Sequence, residues 1–261
     1  MTLLWQQFRA QLMGLLAWTG AGLLLVLSLT STAPATIASG TEMMEKLPEQ
    51  FKRILGVQEG LSALDNFVAG KIAVSLALIM VLYAIVLALS VVTREVDRRT
   101  IDFLLSLPVS RQEVLLARAG VMILNTGLSG AILWGATIAG LKAQNLEADW
   151  PVYWAIFAGH WLLAVMTGSI TLLASLWIDD YSLALKLFLG LVSALYFLDL
   201  ALKGAGVGRV GRLLSPFSYG DPVTVLLEKA LPVSDLLIML GVTAATLAAS
   251  VPVFNRKQIS A

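Results

Sequence analysis

The chain contains no cysteine and a single histidine, His160. The first absence excludes a disulfide framework, a thiolate nucleophile and any Cys-ligated metal. The second leaves too few imidazoles for a histidine-based metal centre, and no paired intramembrane carboxylates stand in for them. Charge is also scarce: 13% of residues are Asp, Glu, Lys or Arg, and the formal net charge is +1. No basic patch of the kind that nucleic acid requires can be drawn from that supply. A fourth absence is G-x-x-x-x-G-K-[ST], so the chain has no phosphate loop of its own. The near match Gly206-x-Gly208-x-x-Gly211 follows a long apolar run and precedes a proline-bearing stretch. A dinucleotide site needs a strand before the glycines and a helix after them. Nor do His160 and Ser169 make a catalytic dyad, because nine residues along one helix separate them by about 13–14 Å of rise. We expect no catalytic, metal-binding or cofactor-binding residues in this chain.

What the chain does have is apolar length. Hydrophobic residues make up 58% of it and the mean hydropathy is +0.83. A bilayer core needs about 20 apolar residues per helix, and runs of that kind occur at 12–33, 69–93, 119–141, 152–178, 182–202 and 233–254. The expected fold is therefore all-α: one polytopic transmembrane domain over residues 1–261 with six spans. The run at 182–202 is interrupted by Lys186 and Asp199, both close enough to its ends to snorkel. The first run is too long for a secretory signal, whose apolar core is typically about 7–15 residues. Ahead of it, Leu3, Leu4, Phe8 and Leu12 share one helical face while Gln6, Gln7, Arg9 and Gln11 lie elsewhere. That pattern fits an interfacial helix over residues 1–11, or else the frayed start of the first span.

Two linking segments carry local signals. In 34–68, Ser39-x-x-Glu42 resembles a capping box, and Met43, Leu47, Phe51, Ile54 and Leu55 recur at helical spacing, which predicts a short external amphipathic helix. The segment 203–232 mixes glycine, proline and apolar residues; Leu213–Tyr219 and Val223–Leu227 are too short to span and read as re-entrant or interfacial pieces, or as a cap. Within the spans, Gly127, Ala131, Gly135 and Ala139 form a stripe of small residues that lets a second helix approach, in the same chain or in another copy. Asp199 is the one acid well inside a run; it reads as a pathway contact or as an ion pair with Lys203 beside it. His160 is expected to be a satisfied interhelical hydrogen bonder, and Trp150, Tyr153, Trp154 and Trp177 to form aromatic belts.

The densest charge lies in residues 94–118, between two runs that have almost none. Arg94, Glu95, Asp97, Arg98, Arg99, Asp102, Arg111, Glu113 and Arg118 exclude it from hydrocarbon, where a central charge costs about 2.5–3.5 kcal/mol even on the lenient insertion scale. Lys and Arg divide evenly between the two sides of a six-span chain, so orientation rests on density. The cluster in 94–118, with Arg9, Arg256 and Lys257, places this loop and both termini in the cytoplasm.

Glu95, then Arg99-Thr100, then Phe103-Leu104-Leu105-Ser106-Leu107-Pro108-Val109-Ser110-Arg111 and Glu113-Val114-Leu115 resemble the first cytoplasmic loop of the membrane subunits of type-2 ATP-binding cassette (ABC) exporters. The family usually has Gly-Thr where this chain has Arg99-Thr100, and often Lys where it has Arg118. The six spans, the N-terminal interfacial helix and the segment with Leu214-Ser215-Pro216-Phe217 before the last span extend the resemblance along the whole chain. It implies a permease subunit of the inner (plasma) membrane, paired with a second copy or a related permease and surrounded by lipid. A separate ABC ATPase would hold the ATP and magnesium, and would dock on Glu95, Arg98, Arg99, Thr100, Phe103, Leu104, Leu107, Pro108, Ser110 and Arg111. The physics of that loop agrees: charges orient it, and an exposed Phe-Leu-Leu-x-Leu ridge needs a groove to fill. The rival readings are a stand-alone secondary transporter or channel, which needs intramembrane ion ligands beyond Asp199, and an intramembrane enzyme, which needs a catalytic constellation. Nothing in the sequence names the substrate.

Overall fold

The computed structural model describes residues 2–45, 60–91, 93, 110–205, 207 and 215–256. No strand occurs among them. The elements are α1 (Thr2–Glu45), α2 (Ala63–Val91), α3 (Arg111–Ala143), α4 (Trp150–Ser175), α5 (Tyr181–Gly204), α6 (Pro222–Glu228) and α7 (Val233–Arg256). All except α6 are long and apolar enough to cross a membrane, giving the six expected spans. Residues 68–73 of α2 form a π-helical turn.

Start and stop signals account for most boundaries. The hydroxyl of Ser62 accepts from the Asp65 N–H at the head of α2, and Asp180 accepts from the Leu183 N–H at the head of α5. Ser110 and Glu113 form a reciprocal capping box that opens α3. At the other end of α3 the chain turns out of the helix through Asn145 at φ 56°. Asp221 caps α6 immediately before Pro222, which takes the first helical position, where its missing N–H costs nothing.

The first helix is longer than expected. Thr2–Glu45 is one continuous helix, and its membrane-spanning stretch begins at Gln11. Its far end runs on through Pro34, and Ser39 is not a cap: its hydroxyl donates backward to the carbonyls of Ala35 and Thr36. Residues 46–59, which hold the rest of the expected external helix, lie outside the described residues.

Two central helices, α2 and α4, pack along each other and are the most buried spans. Around them α1 packs on α3, α7 on α4, and α5 on α2. Trp134, Tyr83 and Tyr153 are the largest fully buried side chains. Hydroxyl pairs stitch the bundle at Thr19–Ser129 (2.9 Å) and Thr246–Ser169 (2.8 Å), and the Trp161 indole donates to the Ile123 carbonyl at 3.1 Å. Such bonds average about 0.6 kcal/mol each between membrane helices. The outward faces of α1, α5 and α7 are apolar, with Leu24, Leu191, Phe197 and Leu237 exposed, as befits helices whose solvent is hydrocarbon.

The small-residue stripe on α3 meets α4 over part of its length. An added Cβ at Gly127 would lie 3.0 Å from Trp161 Nε1, and one at Gly135 would lie 3.9 Å from Trp154. Ala131 is half-buried and Ala139 is exposed. The closest helix approaches use other positions: Gly22 of α1 against Leu133, Gly130 against Met80 and Phe157, and Gly140 against Thr30.

Candidate functional site

Two polar constructions stand at opposite ends of the bundle. The first fastens the roots of the charged loop. The described part of α2 reaches Val91, Thr93 is helical as well, and α3 begins at Arg111. The buried Arg118 reaches across from α3 and its Nη1 donates to the carbonyls of Ser90, at 3.3 Å, and Val91. Both carbonyls lie in the last described turn of α2 and accept charge-assisted bonds from the guanidinium. The Thr93 hydroxyl donates to the Ser175 carbonyl at the end of α4. Asn125 Nδ2 donates to Gln11 Oε1 at 3.0 Å, and Gln11 Nε2 donates to the Ser90 hydroxyl at 3.4 Å. The loop is thus anchored at both roots, and through them to α1 and α4.

At the opposite end, the chain between α5 and α7 folds back on the bundle. The Ser215 hydroxyl donates to the Leu195 carbonyl of α5 at 3.1 Å. Residues 216–218 make one 3₁₀ turn, and the Gly220 N–H donates to Asp235 Oδ2 on α7 at 3.0 Å. Gly220 adopts φ +66°, and a Cβ there would lie 3.2 Å from the Gly159 Cα on α4. Only glycine suits both that conformation and that approach. The short helix α6 then buries Val225 and Leu226.

This turn borders a small, partly open cleft whose walls include Ala77 of α2, His160 of α4, Tyr196 and Asp199 of α5, and Phe217 and Tyr219 of the turn. Lys203 lies across it, its Nζ 2.9 Å from Asp199 Oδ2 and 2.9 Å from Asp221 Oδ1. Ion pairs at this depth tie α5 to the turn and compensate charges that are costly to bury alone. His160 lies ten residues into α4, about 15 Å from its start. It is 2% exposed, its ring centroid is 5.7 Å from that of Trp134, and its Nδ1 has no hydrogen-bond partner. The expectation of a satisfied interhelical histidine is corrected here: the ring is held by packing on Trp134, a contact between helices that no sequence spacing reveals.

Of the residues expected to dock an ATPase, Glu95, Arg98, Arg99, Thr100, Phe103, Leu104, Leu107 and Pro108 lie outside the described residues. Ser110 and Arg111 open α3, directly beside the fastened root. Asp199 lines the far cleft as one half of an ion pair. Sequence reasoning missed Asp221, which sits beyond an irregular stretch. It also missed the Asn125–Gln11–Ser90 chain, whose members read singly as ordinary polar residues of the spans. A signal did exist, since a Gln and an Asn on apolar helices need partners. Among the described residues no group of His, Asp and Glu is placed to hold a metal ion.

The family model described as "ABC-2 family transporter protein" matches residues 1–259. No curated protein matches the chain. The match extends over nearly all of the sequence, so the chain belongs to the ABC-2 family of transporter membrane subunits, as an integral multi-pass permease.

Proposed function

We propose, from that membership, that this permease is the membrane half of an exporter driven by a separate ABC ATPase that docks on residues 94–111. The chain itself is a transport subunit with no catalytic role. ATP and magnesium belong to the partner, and two permeases, identical or related, enclose the pathway. The charged loop and both termini face the cytoplasm of a plasma membrane. The observation that carries this reading is the fastening of the loop roots. A loop that only joined two spans would need no buried arginine on the carbonyls of Ser90 and Val91, no Thr93 bond to α4 and no Gln11 bridge to α1. A loop that transmits force needs all three. Closure of the ATPases on ATP would displace the docked loop, and the clamped ends of α1 to α4 would follow as one body, in the manner of a shear or rocking transition.

Docking is tested by co-purification of the ATPase with loop variants that insert and express normally. Phe103→Ala with Leu104→Ala should remove anchors from the groove at a cost of about 2 kcal/mol or more, a greater than tenfold loss of complex. Leu104→Ala alone should weaken assembly at every salt concentration, and Arg98→Ala mainly at low salt, because rim charges act on association. Unchanged assembly in the double variant would refute docking through this loop.

A further inference from the structure

The cleft between α2, α4, α5 and the 215–221 turn has the size and the lining of a water site. We infer that it is an aqueous inlet: water entering from the end of the bundle opposite the charged loop reaches His160 at bilayer depth and supplies the hydrogen bond that its Nδ1 lacks within the protein.

Size sets the class of ligand. The cleft has a volume of about 40 Å³. A water needs about 10–15 Å³ of such space, together with two to four polar partners. A few waters therefore fit, and an organic solute does not. The lining meets the second requirement, because His160, Tyr196, Asp199, Lys203 and Tyr219 all border the space and all carry hydrogen-bonding groups. Cavities that stay dry are apolar throughout. The histidine supplies the independent observation. His160 is 2% exposed and its Nδ1 is buried without a hydrogen-bond partner. A neutral imidazole presents one donor and one acceptor nitrogen, and a bond left unmade at either is costly inside a protein. Tyr83, Asn125 and Trp134 also bury a polar atom without a partner, yet none of them lines the cleft. Of these four groups, His160 is the one to which water has a route. The route begins at Lys203, which stands in the last turn of α5 with its side chain 35% exposed and gives the cleft a rim at the end of that span. It ends about 15 Å along α4, at half the depth of a hydrocarbon core about 30 Å thick. Water at that depth halves the dry barrier at this place.

The test is water-edited solid-state NMR on the full chain in lipid vesicles, with histidine as the only amino acid labelled with ¹³C and ¹⁵N. Because His160 is the single histidine, every ring signal reports this one site and needs no assignment. Magnetisation should pass from water to the native ring at least threefold faster than to the ring in Ala77→Leu, whose larger side chain fills the cleft. Ala77→Val, a smaller intrusion, gives a second reading if the leucine variant does not fold, and should slow the transfer in the same direction. The Nδ1 resonance should shift between native chain and filled variant, as a hydrogen bond to that nitrogen is lost. A native ring that receives magnetisation no faster than the filled variants would overturn the inference, since the ring would then be dry. So would fast transfer that neither substitution slows, since water would then reach the ring by another way. Because neither nucleotide nor ATPase is present, failure here leaves the docking proposal standing, and failure of docking leaves this one.

Discussion

A single side chain, Arg118, does most to hold the loop roots together. Its guanidinium donates to two carbonyls in the last described turn of α2, and hydrogen bonds to a charged group contribute about 1.5–3 kcal/mol. Arg118→Met should therefore lower the stability of the chain in nanodiscs by about that amount, read as a lower midpoint of unfolding. Arg118→Lys should recover part of it, since an ammonium keeps the charge and loses the fork. An unfolding midpoint for Arg118→Met equal to that of the native chain would show that the bonds carry no load. At this scale the sequence was legible only in part. Arg118 could be placed at the edge of an apolar run, but its partners are backbone carbonyls of another helix, which leave no trace in residue identity. His160 shows the same limit, because its neighbour Trp134 stands on α3.

Among the elements, the spans were the most readable, because a helix that needs about 20 apolar residues to cross hydrocarbon writes its length directly into composition. The far end of α1 was not. Pro34 and the Ser39-x-x-Glu42 pattern both predict a break, yet the helix passes through both. Pro34 leaves one carbonyl, that of Thr30, without its helical donor, whereas unwinding a turn in hydrocarbon would orphan several backbone groups. The 215–221 turn was legible as irregular but not as a contact surface, since its docking depends on two glycines far apart in sequence, Gly159 and Gly220. Gly220→Ala should cost at least the roughly 1–2 kcal/mol of a left-handed backbone, with the crowding against Gly159 in addition. Gly241→Ala, on a helix face with open space around it, should be neutral or slightly stabilising. Thermal unfolding of the two variants beside the native chain checks this, and equal midpoints would contradict the close crossing.

For the whole molecule, the arrangement divides into a buried group, α2 to α4 with α1 against α3, and more peripheral helices, α5 and α7, whose outer faces are apolar. Polar bonds join the first group at the loop end, while at the far end α5 and α7 are joined to the turn through Lys203, Asp221 and Asp235. The central claim is that the energy comes from a separate subunit, because the chain has no phosphate loop. The direct measurement is ATP hydrolysis by the purified chain alone and by its complex with the ABC ATPase, both in nanodiscs. The account predicts no activity from the chain alone, and activity in the complex that disappears when the partner's phosphate-loop lysine is replaced. Robust hydrolysis by the isolated chain, free of contaminating ATPase, would contradict it.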